Sequence, residues 1–350
     1  MHLKRLQFRP REQGVALITA LLILSICVTA SAYIIQQEHL SIRRSSNIIN
    51  GNKAYLYTLG AEKLAMIVLH EDFNDDPDID QPNEQWRTPV AFEVEESSGF
   101  VAGNVTTMQG KFNINNLVNN SGAQDAVAVE RFRRLLGFFN IDPEYTNAVI
   151  DWIDPDINSS GYTGAEDDFY VGLEQPYHTP NRKIISISEL RLIRGLGESP
   201  YLNLLLEHLT ALPTAETSIN INFMTPAVKA AIEDGAYVPD VFLQNQDPTA
   251  TTAQNTQTTT NTQNTATQAG TTTTTVETPF YETVADYESQ NGLSSGSGSN
   301  YNNTRLSVTS QYFLVQAEAE VGRGRARLKS VIERSTDGKM RVIRRSQGNL

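Results

Sequence analysis

The chain has a single cysteine, Cys27, among 350 residues. No internal disulfide can form, which favours some other staple, such as a metal, for an exported body. Histidine is also scarce. His2, His39, His70, His178 and His208 are dispersed and form neither an HExxH spacing nor a triad-like arrangement. Neither a Walker loop nor a GxGxxG is present, so nucleotide chemistry has no carrier. Basic residues are outnumbered, 28 Lys and Arg against 40 Asp and Glu, for a net charge of −12. That balance suits divalent cations and does not suit binding to a nucleic-acid backbone.

Charge is missing altogether from Gly14 to Ile35. The stretch from Val15 to Ile35, about 21 residues, is long enough as a helix to cross a ~30 Å hydrocarbon core. Lys4, Arg5, Arg9 and Arg11 precede it and place the head in the cytoplasm and the body outside. Ala30-Ser31-Ala32 has the small-residue spacing of a secretory cleavage site, but the apolar run before it exceeds the usual signal-peptide length of roughly 7–15 residues. A cleaved signal, a plain anchor and a processed leader therefore all stand as readings of this segment.

Beyond Ile35 the pattern stays helical and turns amphipathic. Tyr57, Ala61, Leu64, Ala65 and Val68 form one stripe, with Glu38, Lys53, Glu62 and Lys63 as charged residues among them, which predicts one long helix from Val15 to about His70. Residues 71–83 read as a solvated acidic loop, with a cation site as the minority reading. Alternation at Val90, Phe92 and Val94 predicts a strand, and two further strands are expected on either side of a Gly103-Asn104 turn. Helices are expected over 127–140, from Pro143 to Trp152, over 189–194 behind a Ser188 cap, from Pro200 to Ala211 and from Pro226 to Asp234. Ile219-Asn220-Ile221-Asn222 echoes Phe112-Asn113-Ile114-Asn115, and a helix follows each copy. Residues 243–304 are dominated by Thr, Gln, Asn and Ser and read as disordered, with Phe280, Tyr281 and Tyr287 as weak contacts to the body. Three strands then close the chain, with turns at 322–325 and 335–339. Strands on both sides of a helical block imply one sheet with the block inserted.

The stretch richest in chemistry runs from Asp151 to Tyr170. It carries six carboxylates, Asp151, Asp154, Asp156, Glu166, Asp167 and Asp168, in a short loop with glycines. A hard cation with oxygen ligands would relieve their repulsion, and Ca²⁺ takes 6–8 oxygens. Asp154, Asp156 and Asn158 copy the first half of an EF-hand loop. Ser159 then stands where Gly is required and Glu166 lies one residue too far on, so the loop is not an EF-hand. A solvated acidic face is the competing reading.

Four features resemble known families. The basic head ending in Gly14 ahead of an apolar helix resembles a type IV prepilin leader, which implies cleavage by prepilin peptidase and an N-methylated Val15 as the mature N-terminus. Pilins usually carry Glu at the fifth mature position; Thr19 stands there, as in the minor pseudopilin K family of type II secretion systems (the GspK family). That family's Ca²⁺ loop has the form Asp-Trp-x-Asp-x-Asp, then Gly-Ala-Glu and paired aromatics, matched at Asp151, Trp152, Asp154, Asp156, Gly164, Ala165, Glu166 and Tyr170. Leu192 to Gly197 resembles a helix-hairpin-helix turn, an element that the family carries within its insertion; DNA binding is not expected.

The resemblance implies an α+β fold: a pilin-like long N-terminal helix packed on an antiparallel sheet, with a large inserted α-helical domain. The segments would be a leader over 1–14, a transmembrane part over 15–35, the first part of the pilin-like domain over 36–117, the insertion with its calcium loop over 118–233, the disordered segment over 243–304 and the C-terminal strands over 305–350. It further implies one or two structural Ca²⁺ ions, no enzymatic activity, and a single-pass place in the bacterial inner membrane with the bulk in the periplasm. The implied partners are the minor pseudopilins I and J, with the major pseudopilin and secreted cargo as further candidates. An adhesive minor pilin of type IV pili, a membrane-anchored calcium-binding periplasmic protein and a membrane-anchored metal-dependent enzyme are the alternatives. Intact-mass and N-terminal analysis of the protein from a producing cell is expected to give a chain starting at methylated Val15; a chain starting at Tyr33 would mean ordinary signal cleavage instead.

Overall fold

A computed structural model describes residues 10–94, 99–243, 280–293 and 301–347. Helix α1, Pro10–Asp75, is 66 residues long. At 1.5 Å per residue it is a rod of ~100 Å. Its apolar part has a mean hydropathy of 2.4 over the best window, and none of that window is buried within the protein. The Thr19 hydroxyl donates back to the Ala16 carbonyl at 3.0 Å, which satisfies it inside its own helix. From Gln36 to Ile49 the helix is exposed all round; contact with the body begins at Asn50 and Gly51.

Five antiparallel strands form the sheet on which α1 lies. They are β1 (Val90–Val94), β2 (Gly99–Thr107), β7 (Tyr312–Val321), β8 (Gly324–Arg334) and β9 (Met340–Ser346), in the order β1-β2-β7-β8-β9. β2 is one strand and not two: Val101, Gly103 and Val105 keep the same face through the expected turn, and all nine residues pair with β7 from Gly99↔Val321 to Thr107↔Phe313. The face toward α1 holds Val101, Val105, Phe313, Val315, Ala319 and Ile332, packed on Ala54 and Leu69 of the helix. Small residues let the rod approach closely. A side chain at Gly324 would collide with the backbone of Asn50 and Gly51.

Glu62 faces this interface and not the solvent. It is fully buried, accepts the Ser330 hydroxyl at 2.5 Å and pairs with Arg345 of β9 through two bonds of 2.7 Å. Its desolvation pushes its pKa up, but the bonds from Arg345 and Ser330 outweigh that and leave it below the usual glutamate range. The helical stripe turns toward this residue, so Leu64, expected on the packed side, is 42% exposed.

Between β2 and β7 the chain inserts the α-rich block. Its core is one cluster that includes Phe112, Phe132, Leu135, Phe139, Trp152, Tyr170, Leu205 and Tyr287. The helices are α2 (Ala126–Phe138), α3 (Thr146–Ile153), α4 (Asp167–Tyr170), α5 (Leu202–Leu206), α6 (Pro226–Glu233), α7 (Asp240–Leu243) and α8 (Val284–Gln290), with the short strands β3 (Phe112–Asn113), β4 (Leu209–Thr210), β5 (Ile219–Asn220) and β6 (Leu306–Ser307). Several elements depart from expectation. The Pro200 helix stops at Leu206, because Leu209–Thr210 leaves it to pair in parallel with Phe112–Asn113. The 189–194 segment is a 3₁₀ helix over Ile187–Leu192, and its cap is Ser186 in a capping box with Glu189. Within the Thr-rich tract, 280–293 is ordered: Tyr287 of α8 is fully buried and donates to Glu233 at 2.5 Å. The remainder of that tract over 244–279 and 294–300, the leader residues 1–9 and the C-terminal residues 348–350 lie outside the described residues.

The two Asn-containing copies are built alike. Asn113 and Asn220 each cap a 3₁₀ turn at nearly identical φ and ψ, and each belongs to a parallel strand pair. Two residues on, Asn115 brackets Ile184 by donating to its carbonyl and accepting from its N–H, and Asn222 does the same at Tyr281. Replacing Glu62 by Ala is expected to lower stability by about 1.5–3 kcal/mol, the range for hydrogen bonds to a charged group. Because the Glu62 pKa is depressed on folding, that contribution is present above about pH 4.5 and fades as pH falls through the folded value. Denaturant melts of both proteins at pH 7 and pH 3 measure it; a gap that does not shrink at pH 3 would contradict this account.

Candidate metal centre

α3 runs into the acidic loop, with Ile150, Trp152 and Ile153 in the core and Asp151 beside them. Asp151 is fully buried. It accepts from the Ser160 N–H at 3.0 Å and the Ala165 N–H at 2.7 Å, and so folds the loop back on the helix end. Gly164 sits against this carboxylate: an added Cβ would lie 2.5 Å from Asp151 Oδ2. The loop is braced from outside by the hairpin-like segment. Arg194 Nη1 donates to the Gly164 carbonyl at 3.0 Å, the Arg194 guanidinium lies over the Phe169 ring at 4.7 Å, and the Arg194 N–H bonds the Tyr170 hydroxyl at 3.2 Å. This part of the helix-hairpin-helix likeness therefore supports the loop.

Three carboxylates converge. Asp154, Asp156 and Glu166 each offer an oxygen within 4.8 Å of the others. Asp154 and Glu166 are each only 5% exposed, and Asp154 Oδ1 and Glu166 Oε1 are buried without a hydrogen-bond partner. Desolvation first, then neighbouring carboxylates (Asp156 and Asp151 for Asp154; Asp151 and Asp154 for Glu166), push both pKa values up to about 7. Orphaned, buried, hard oxygen donors of one sign fit a Ca²⁺ ion chemically.

The other expected ligands stand elsewhere. Asp151 is committed to backbone N–H groups. Asp167 turns outward, bonding His178 Nδ1 at 2.8 Å and Thr179 through its N–H at 2.8 Å and its hydroxyl at 2.9 Å; these bonds hold its pKa below the usual range. Asp168 is exposed and outside the three-carboxylate group. Asn181 comes in from a distant loop: its Nδ2 donates to the Asp156 carbonyl at 2.9 Å while its Oδ1 is buried with no partner. Nothing in the spacing of the acidic run pointed to it.

A second carboxylate group has a different character. Asp72, Asp80 and Glu84 also bring oxygens within 4.8 Å of one another, so the 71–83 loop is not simply solvated. Asp80 is fully buried, and Arg334, 4% exposed, donates to both of its oxygens at 2.7 and 2.5 Å while packing on Phe73 and Phe313. A guanidinium already supplies the positive charge there. Desolvation and the neighbouring carboxylates still push Asp72 up to about 6 and Glu84 to about 7.

Comparison with known proteins identifies the family. The family model for type II secretion system (T2SS) protein K matches residues 110–214, which include the whole acidic loop. Type II secretion system protein K of Aeromonas hydrophila is 31% identical over 353 residues, covering 97% of this chain and 98% of that protein. The Pseudomonas aeruginosa protein of the same name is 30% identical, covering 97% and 94%. In fold, the chain is similar to a chain in the crystal structure of the GspK-GspI-GspJ complex from enterotoxigenic Escherichia coli, with a TM-score of 0.67 at 20% identity over 88% of this chain and 100% of that one. At near-complete coverage of relatives at this identity, the chain belongs to the type II secretion system protein K family, the minor pseudopilins of that machine.

Proposed function

We propose that the chain sits at the tip of the type II secretion pseudopilus, where it initiates or caps assembly with the minor pseudopilins I and J for export of folded proteins across the outer membrane. The observation that carries this reading is the match in fold, along nearly the whole chain, to a subunit of a K–I–J complex. Two further features support it. The α-rich block inserted between β2 and β7 is bulky and leaves room for growth only below the subunit. Thr19 lacks the carboxylate with which a pilin helix would meet a neighbour's terminal amine, and its hydroxyl is spent on its own helix. The role is one of assembly and not of catalysis. Prepilin peptidase removes residues 1–14 in this reading, α1 anchors the subunit in the inner membrane with its N-terminus in the cytoplasm, and the body stands in the periplasm, where the major pseudopilin and cargo are further contacts.

In the same reading the head holds Ca²⁺ structurally, as one or two ions. Asp154, Asp156 and Glu166 are the ligands that fit, with Asn181 Oδ1 as a neutral oxygen beside them. A bound ion supplies positive charge to buried carboxylates that otherwise need protons. Asp151 and Arg194 act on the loop backbone and keep it folded around the cluster.

Two measurements test these assignments. The tagged full chain, co-expressed with I and J and extracted in a non-ionic detergent, is expected to retain both in stoichiometric amounts; recovery of neither would overturn the tip assignment. For the metal, the native state in chelator keeps protons on Asp154 and Glu166 up to about pH 7, whereas the unfolded chain releases them near pH 4. The native state thus binds more protons in that window, so the melting temperature in chelator should fall as pH rises from 4 to 8. Ca²⁺ should restore it at pH 8 and have little effect at pH 4, and Glu166→Gln should abolish the restoration. Melts that ignore both pH and Ca²⁺ would refute the site.

A further inference from the structure

The seam between the outer face of the sheet and the inserted block contains a cavity of about 200 Å³. In a chain with a net charge of −12, this cavity is lined by three cations: Lys111 at the entry to the insertion, Lys329 on β8 and Arg344 on β9. Among the described residues, none of the three has a carboxylate within ion-pair distance. Glu207 acts on Lys111 from further off, and burial pulls the pKa values of both Lys111 and Arg344 down. Arg344 donates from Nη1 to the Ile185 carbonyl, while its Nε is buried with no partner.

A second observation is independent of the charges. Thr210 also lines the cavity, is 4% exposed, and has a buried hydroxyl with no hydrogen-bond partner. A buried donor in that state is destabilising unless something accepts from it. The same space has an apolar side in Leu206, Leu209 and Leu314. It adjoins a second cavity of about 260 Å³, which shares Arg344 and Ala211 and is lined by Ile184, Val331 and Ile343.

We infer that this seam is a binding site for a free carboxylate borne on a small apolar group, the chemistry of an exposed peptide C-terminus. The carboxylate sits among Lys111, Lys329, Arg344 and the Thr210 hydroxyl, and the apolar group enters the Ile184–Ile343 cavity. A carboxylate accepts from guanidinium, ammonium and hydroxyl donors at once, and such charge-assisted bonds are about twice as strong as neutral ones. Inorganic phosphate satisfies the cations but leaves the apolar half unused. The site is formed by the sheet and the insertion together, so a bound ligand ties one to the other. The inference does not depend on where the subunit sits in an assembly.

The test is calorimetric titration of the full chain in dodecyl maltoside micelles. N-acetyl-alanyl-leucine with a free carboxylate is expected to bind saturably, its C-terminal amide at least ~10-fold more weakly, and inorganic phosphate to compete while binding more weakly than the acid. Arg344→Gln and Lys329→Gln should each weaken the acid about 10-fold and Thr210→Val about 3-fold, while Arg323→Gln, in an exposed turn, should change nothing. Equal binding of acid and amide, phosphate as tight as the acid, or an unchanged affinity in Lys329→Gln would overturn the proposal. If Arg344→Gln loses its cooperative melt, Lys329→Gln and Thr210→Val decide the matter.

Discussion

The pairing of β2 with β7 is the constraint on which everything else rests. These strands are separated in sequence by the whole insertion, yet they run side by side from Gly99↔Val321 to Thr107↔Phe313. Closing so long a loop costs chain entropy before any contact rewards it. The insertion lowers that cost by folding on itself, with its own core and two Asn-capped parallel strand pairs near its entry and exit. Gln109, just after β2, reinforces the join: its side chain donates to the Ser218 carbonyl at 2.7 Å and accepts from the N–H groups of Gln311 and Tyr312. One amide thus holds the start of the insertion, the second Asn copy and the start of β7 together.

Two acid–base contacts to fully buried carboxylates fix the sheet to the rod and the loop at its end, and both reach across most of the chain. Glu62 of α1 meets Arg345, and Arg334 meets Asp80 just beyond the end of α1. Their sites differ in balance. Glu62 has one carboxylate facing one guanidinium with Ser330 beside it, while Asp80 shares Arg334 with Asp72 and has Glu84 close by. Among the described residues, no guanidinium pairs with the three convergent carboxylates of the acidic loop at Asp154. The contrast between these two acidic groups separates an ion pair built into the fold from convergent carboxylates to which the described residues bring no cation of the chain's own.

Much of this was legible in the sequence because it is local. The charge-free run, the amphipathic continuation, the alternating strands and the echoed Ile-Asn phrases are all patterns of nearest neighbours, and the acidic loop announces itself by crowding. What was not legible depends on partners far along the chain. Glu62 looks like one more surface charge until Arg345 is brought opposite it. Gly103-Asn104 looks like a turn until β7 supplies a register that runs straight through it. The Leu-rich run after Pro200 reads as one helix, but pairing with Phe112 takes its last residues. Tyr287 stood out only as a weak contact to the body, since a few aromatics in a Thr- and Gln-rich tract do not reveal that a fully buried slot awaits one of them. Asn181 carries no signal, because a neutral amide near an acidic cluster is defined by three-dimensional position alone.

The exposed collar of α1 between Gln36 and Ile49 has a mechanical meaning. It is continuous helix, exposed all round, and at 1.5 Å per residue it separates the end of the apolar run from the first contact with the body by roughly 20 Å. A flexible tether of that length would absorb a pull; an unbroken helix transmits it. An axial step imposed on the apolar end is therefore carried along the rod toward the sheet, since the helix runs unbroken from Pro10 to Asp75.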